Sequence, residues 1–251
     1  MPSEKAAAIV IRAIDFSESS LIVTLFTREF GKIGALAKGA KRLKSPFESA
    51  LDVLALCRIV FLRKSSDALD LLTEAKLLRR FRPAGRDLSA LYAGYYVAEL
   101  LGELTDQYDA HPELFDLADE TLAALAAGEP VGRRLLRFEL GLLQYLGHAP
   151  SLEACAGCGA ALAPAARVSF GLVEGGVLCA ACRPGMRHVA TIQSGTVRAM
   201  ARFAELHHMA WRELDLDART YGELRGVVSQ YIAHLLGRKP RLQPYVAAIR
   251  V

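Results

Sequence analysis

The chain has 251 residues, of which 52% are hydrophobic and 23% are charged, and its formal net charge is +4. This length allows two compact units with buried cores, and the composition is ordinary for a globular protein. No window approaches eighteen uninterrupted apolar residues, and Arg12 and Asp15 interrupt the N-terminal run that a secretory signal would need, so we expect a cytoplasmic protein without a membrane span.

The charge is distributed unevenly along the chain. Residues 1–80 carry 14 Lys and Arg against 9 Asp and Glu, residues 81–150 carry 5 against 11, and residues 151–251 carry 12 against 7. The balances are therefore +5, −6 and +5. A basic start, an acidic middle and a basic end indicate segments with different partners.

Alternating apolar residues predict about five strands in the first third of the chain. The predicted strands, which turn residues separate, are 8–14, 21–27, 33–38, 53–63 and 69–78. A helix over 69–78 is the alternative for the last segment. Five short strands in this length suit a small barrel, and the natural candidate is an OB-fold, whose exposed face and loops bind oligonucleotides.

The most basic stretch of the chain is residues 31–45, which read GKIGALAKGAKRLKS. It holds five cations and no acid: Lys32, Lys38, Lys41, Arg42 and Lys44. On the predicted strands and their turns these side chains indicate a polyanion-binding surface, and we expect them to form the nucleic-acid contact. The alternative is a solvated charged loop, which a run of this length alone does not exclude.

The apolar period changes from two to 3.6 after Pro83, Ala84 and Gly85. Helices are predicted from residue 88, over 112–127, over 130–147, over 194–208 and over 218–236. The third of them is apolar over most of its circumference, so it should be central to a bundle. We thus expect an α+β multidomain protein, with a five-stranded barrel at residues 1–80 and a helical bundle formed by residues 81–150 and 188–251.

The most specific motif is a pair of C-x-x-C sequences at 151–187, an insertion within the helical part. Cys155 and Cys158 precede Cys179 and Cys182 by a spacing typical of a zinc ribbon. Four protein ligands fill a tetrahedral shell, which predicts one structural Zn²⁺ per chain and no catalytic water. A pair of redox C-x-x-C motifs is one alternative, but the βαβ context that such motifs usually have is absent here. An iron–sulfur cluster is the other, and the spacing alone does not exclude it.

The sequence shows no recognisable set of catalytic residues. Residues 34–41 (GALAKGAK) differ from a phosphate-binding P-loop because Ala40 stands where the lysine must follow the second glycine. The histidines are scattered, and His207 and His208 beside Trp211 are better explained as helix-end residues. A nucleotide-hydrolysing enzyme is therefore not expected, and a nuclease is disfavoured because no acidic metal cluster is visible.

Four segments together resemble the RecO family of bacterial recombination mediators. They are DFSESSLIVTLFTREFGKIGALAKGAKRLKS, RFELGLLQYLG, CAGCG and GRKP, and they follow the family's order over nearly the whole chain. The resemblance implies an N-terminal OB-fold, a helical domain and a zinc-binding insertion. It further implies a non-enzymatic, nucleoid-associated protein that binds single- and double-stranded DNA and anneals complementary strands. The implied partners are the single-stranded-DNA-binding protein SSB and RecR, with RecA involved indirectly, and the use of RecF stays open.

The resemblance also implies recognition of the acidic, phenylalanine-ending tail of SSB by the helical domain. Such a tail needs a cation beside an apolar slot, which Arg133, Arg137 and Phe138 offer on one predicted helix. The alternative is that these arginines only offset neighbouring glutamates. A rival of another class is a zinc-ribbon adaptor that binds protein or RNA without annealing DNA, and the four cysteines alone support it equally.

Overall fold

The computed structural model describes residues 3–47, 50–64, 68–85, 88–205 and 209–249. The chain forms two compact units, residues 1–129 and residues 130–251. Within the described ranges no helix is both long enough and apolar enough to cross a membrane. The predicted helix end at His207 and His208 lies outside the described residues.

The first unit is built on five strands whose hydrogen bonding returns to its starting point. The strands are β1 (Ser3–Asp15), β2 (Leu21–Thr27), β3 (Gly31–Ala37), β4 (Leu56–Leu62) and β5 (Asp70–Arg79). β1 pairs with β4 through its first half and with β2 through its second half, while β3 and β5 form the only parallel pair among them. The order β1-β2-β3-β5-β4 is closed, so every strand has two hydrogen-bonded neighbours.

The period of two in the sequence determines which side chains fill this closed sheet. In β3, the buried residues Gly31, Ile33, Ala35 and Ala37 alternate with half-buried ones. The interior they enter also holds Val23, Leu25, Ile59, Phe61 and Leu72. The segment predicted as strand or helix is the strand β5. β4 begins at Leu56 rather than at residue 53, because Leu54 adopts a left-handed turn conformation with φ 70°.

Two helices complete the first unit. Helix α1 (Leu88–Leu104) packs against β1 and β2, and α2 (Pro112–Ala126) packs against β2, where Phe26 and Phe115 bring their rings to 6.2 Å. Gly31 is essential to this packing, since a Cβ at this position would lie 1.9 Å from the carbonyl oxygen of Asp109. α1 and α2 therefore belong to the same compact unit as the sheet.

The second unit combines helices with a small antiparallel sheet. Its elements are α3 (Val131–Tyr145), β6 (Arg167–Gly171), β7 (Gly176–Leu178), β8 (Val189–Gln193), α4 (Ser194–Ala204), α5 (Ala218–Leu235) and α6 (Gln243–Ala247). The strand order is β7-β6-β8, and the antiparallel strands β6 and β7 form a hairpin between the two cysteine pairs. The sequence did not predict β8.

Helix α3 is central to the second unit, as its apolar circumference predicts. Phe138 is fully buried, and the next residue, Glu139, forms a buried ion pair with Arg225 of α5. The sheet is attached to the same helices, because Phe170 of β6 meets the ring of Tyr231 edge-on at 6.0 Å. The Tyr231 hydroxyl also donates a hydrogen bond to the carbonyl oxygen of His148. The cysteine-bearing sheet is thus fixed to the helical core.

Candidate metal centre and nucleic-acid interface

The two C-x-x-C sequences converge on one point in the second unit. The four sulfur atoms of Cys155, Cys158, Cys179 and Cys182 all lie within 4.8 Å of one another. The Sγ atoms of Cys158 and Cys179 are 3.8 Å apart. A zinc–sulfur bond of about 2.3 Å puts the sulfurs of a tetrahedral site about 3.8 Å apart, so the cluster has the dimensions of a four-thiolate metal site.

Tight turns aim each pair of sulfurs inward. Gly159, at φ 71°, donates its N–H to the carbonyl of Cys155, which closes the first turn, and the N–H of Arg183 closes the second on Cys179. Gly157 allows the two turns to approach, because a Cβ there would lie 3.3 Å from both Cβ and Sγ of Cys182. The glycines of CAGCG are therefore part of the site's geometry.

The pKa values of two of these cysteines shift in opposite directions. The backbone N–H of Cys179 donates to the sulfur of Cys155 and lowers the pKa of Cys155 to about 6. Hydrogen bonds with the neighbouring thiols raise the pKa of Cys182 to about 12. Ionisation of Cys155 is thus favoured and that of Cys182 is opposed, whereas a bound metal cation deprotonates coordinating thiols. The cluster fits a metal ion.

The fifth cysteine belongs to the first unit. Cys57 is buried on β4, its thiol donates to the carbonyl of Ala8, and burial raises its pKa to about 12. It packs as a small apolar residue, as its position in an apolar strand indicates.

The basic stretch of the first unit ends in a loop, residues 38–44, which we call the basic loop. Lys38, Arg42 and Lys44 are exposed, and the structure records no ion pair for them within its described residues. Two turns shape the loop. In the first, Gly39 has φ 72° and its carbonyl accepts a hydrogen bond from the N–H of Arg42; in the second, the carbonyl of Arg42 accepts one from the N–H of Ser45. Three cations held in one turn region, with no acid among them, form a surface for an anionic chain.

The other two cations of the stretch make contacts within the protein. Lys32 is half-buried on β3, and its ammonium donates to the carbonyl oxygens of Gly102 and Thr105 at the end of α1. Burial lowers the pKa of Lys32. Lys41 pairs with Asp15 at 2.6 Å. Of the five predicted contact residues, three are therefore available cations. Lys41 is paired with an acid, and Lys32 donates hydrogen bonds at the end of α1.

One further residue fits the predicted nucleic-acid interface, and the sequence did not single it out. Of the five phenylalanines in the first eighty residues, Phe16 is 60% exposed, whereas Phe26, Phe47 and Phe61 are buried and Phe30 is partly buried in the core. Phe16 lies in the β1–β2 loop. The basic loop contacts that loop through a hydrogen bond from the N–H of Lys41 to the carbonyl oxygen of Ser19. An exposed ring beside cations is suited to stack on a base. Composition alone does not reveal which aromatic residue faces solvent.

The residues expected to bind an acidic tail make internal contacts in the second unit. Arg137 is 6% exposed and donates to the carbonyls of Phe203 and Glu205, while Phe138 is fully buried. Arg133 donates to the carbonyls of Trp211 and Arg212. A bound tail would have to displace these bonds, so we retain the tail site only as a prediction.

Comparisons with known proteins place the chain in a family. The family model "Recombination protein O N terminal" matches residues 1–81, and "Recombination protein O C terminal" matches residues 85–244. Relatives named DNA repair protein RecO include those of Rhodopirellula baltica, 41% identical over 95% of this chain and 97% of the relative, and Anaeromyxobacter dehalogenans, 36% identical over 95% and 94%. That of Myxococcus xanthus is 34% identical over 96% of both chains.

The matches cover the closed sheet with its basic loop and the helical unit with its cysteine cluster. They define a protein of DNA repair and recombination. Within that class, the chain belongs to the RecO family.

Proposed function

We propose that the protein is a non-enzymatic mediator of recombinational repair that anneals complementary single strands of DNA. With RecR and SSB it would help RecA to load on coated DNA. The observation that carries the proposal is the basic loop on a closed five-stranded sheet in a chain of this family. A role on chromosomal DNA implies a cytoplasmic, nucleoid-associated protein.

We infer that the closed sheet is an OB-fold barrel. The number of strands and their closure through the parallel pair of β3 and β5 support the assignment, because the OB-fold is a five-stranded barrel. Single- and double-stranded DNA would bind through loops at its rim. Lys38, Arg42 and Lys44 would contact phosphates, which position a strand without reading its sequence.

Annealing follows from that kind of contact. Two complementary strands repel each other through their phosphates, and cations on one protein neutralise part of this charge. Because the contacts are to the backbone, the base edges stay free to pair. The closed sheet, in which every strand has two hydrogen-bonded neighbours, supplies a platform for the loop.

For the metal cluster we propose a structural Zn²⁺ bound by the four cysteines. Four thiolates at tetrahedral dimensions leave no position for a catalytic water, so the ion would stabilise the small sheet of the second unit. The cations Lys32 and Lys41 are not included in the proposed DNA contact, since both have partners within the protein.

The test is the annealing of SSB-coated complementary strands, with the triple variant K38Q/R42Q/K44Q beside the wild type. Each phosphate contact on a single strand contributes about 0.7 to the slope of log affinity against log salt, so the variant should lose about 2 from that slope and anneal slowly. An unchanged slope would move the DNA site elsewhere, first to Arg238, Lys239 and Arg241. A wild type that binds DNA without annealing it would favour the adaptor function instead.

A further inference from the structure

A groove on the outer face of the closed sheet carries a second set of cations. It lies across β1, β4 and β5 and has a volume of about 540 Å³. Lys5, Arg58 and Lys76 line it, one from each strand, and among the residues that the structure describes Glu74 is the only acid in its lining. All four side chains are exposed. We call this feature the cationic groove.

The strand register places the cations on one face at close range. Arg58 lies directly opposite Lys76 in the antiparallel pair of β4 and β5, and Lys5 lies opposite Val60, diagonal to Arg58. Opposed residues in such a pair have Cβ atoms about 4.5–5.5 Å apart, and like charges in this position are destabilising. Within the described residues no acid forms an ion pair with any of the three cations. The repulsion between Arg58 and Lys76 is a cost that a bound anion would remove.

The groove begins where the basic loop ends. Pro46, two residues beyond Lys44, forms part of the groove lining, and its carbonyl accepts a hydrogen bond from the N–H of Ala75 on β5. The last turn of the basic loop is therefore fixed to the rim of the groove. A chain that follows the loop from Lys44 to Pro46 reaches the groove that Lys76 and Arg58 line.

We propose that the cationic groove binds the phosphate backbone of a single DNA strand as a continuation of the basic loop. The proposal rests on the proposed function, which gives the loop itself a backbone-binding role. A nucleic-acid strand suits the surface because it carries one negative charge at every nucleotide, so it can engage the loop and the groove with one uninterrupted chain. The groove would lengthen the binding site and leave the contact at the loop unchanged.

The length of the bound strand provides the test. OB-fold proteins cover about 4–16 nucleotides, so probes of about 4 and about 16 nucleotides distinguish a loop-only contact from a longer path. In K5Q/R58Q/K76Q we expect the slope of log affinity against log salt to fall by about 2 for the long probe and to stay unchanged for the short one. E74Q should tighten binding of the long probe, because it removes an acid from the path.

A matched control separates the groove from overall charge. R187Q/R198Q/R202Q removes the same number of charges from exposed positions of the second unit, and it should leave both probes unaffected. Equal losses in the two variants would overturn the proposal. The groove substitutions lie on an outward sheet face and remove a like-charge pair, so the thermal midpoint should not fall.

Further outcomes distinguish this proposal from the proposed function. If the wild type binds and anneals DNA while K5Q/R58Q/K76Q binds both probes as tightly as the wild type, only the groove proposal is wrong. If that variant keeps its DNA affinity but no longer binds polyglutamate, the groove takes an acidic peptide and the proposal is again wrong. Failure of the wild type to bind any single strand would defeat the proposed function itself.

Discussion

Lys41 and Asp15 form a 2.6 Å ion pair that joins the basic loop to the end of β1. Asp15 is the more exposed partner, with 76% of its side chain accessible against 32% for Lys41. The pair neutralises one of the four cations of the basic loop. The N–H of Lys41, bonded to the carbonyl of Ser19, holds the same loop independently of the ion pair.

Asp15→Asn should therefore strengthen single-strand binding without disrupting the loop. The change frees Lys41 for a phosphate, which would raise the slope of log affinity against log salt by about 0.7. Titration of a fluorescent oligonucleotide at several salt concentrations measures it. Asp52→Asn, at another exposed acid of the first unit, is the control and should have no effect on the slope. Weaker binding by Asp15→Asn would mean that the ion pair shapes the loop.

Phe16 should contribute to binding through stacking rather than charge. Base–aromatic stacking is worth about 1–3 kcal/mol per base, so Phe16→Ala should weaken single-strand binding by that amount and leave the salt slope unchanged. Phe16→Trp should retain affinity and show fluorescence quenching when DNA binds. Leu88→Ala, which removes a side chain of similar exposure (61% against 60%), is the control. Equal weakening by both substitutions would rule out a stacking role.

Lys32 and Lys38 belong to one basic stretch and should respond to mutation in opposite ways. Lys32→Met removes the ammonium from the carbonyls of Gly102 and Thr105, where a cation also complements the C-terminal end of α1. Hydrogen bonds from charged groups are worth about 1.5–3 kcal/mol, and we expect a loss of stability of that order with an unchanged salt slope. Lys38→Met should lower the slope and leave the unfolding midpoint alone. Urea unfolding and salt titration of both variants decide between these outcomes.

The contrast between Lys32 and Lys38 shows which features the sequence could predict and which it could not. Alternation predicted β2 with its observed bounds, because its side chains point alternately into and out of a closed sheet. The same alternation places Lys32 on the outward face, where a strand pattern predicts solvent. That face is covered by the end of α1, which lies 70 residues further along the chain, and no local pattern carries that information.

In the second unit, too, the sequence predicted local features and missed those that depend on distant residues. The cysteine spacing predicted a common site for four side chains, since tight turns and metal geometry act over a few residues. The burial of Arg137 depends instead on the carbonyls of Phe203 and Glu205, more than sixty residues away. The strand β8 was missed because five residues, VATIQ, carry too little pattern to distinguish a strand from a connection.

Cys179→Ser should release the metal and unfold the small sheet of the second unit. Structural zinc sites contribute roughly 10–16 kcal/mol in isolated fingers, comparable with the stability of a whole domain. Elemental analysis should find one zinc in the wild type and none in the variant, while Cys57→Ala keeps its metal. Iron in place of zinc, or no metal in the wild type, would contradict the assignment.

The same site should lose its metal in acid. Metal binding requires all four thiolates, and without a metal the pKa of Cys182 is raised to about 12 by its thiol neighbours, so protons compete directly with the ion. Metal affinity should therefore fall as the pH falls, which a chelator titration at several pH values measures. Affinity independent of pH would argue against thiolate ligands.

Arg137→Ala should destabilise the second unit before it affects any partner. Arg137 donates to two carbonyls, and a buried acceptor left without a partner costs about 1–3 kcal/mol. Its guanidinium also lies 5.9 Å from the ring centroid of Trp211, the single tryptophan of the chain, whose fluorescence reports the loss. Arg202→Ala, at an exposed position of α4, is the control and should be nearly neutral. If Arg137→Ala kept the unfolding midpoint but lost binding of an acidic, phenylalanine-ending peptide, the arginine would instead belong to a tail-binding site.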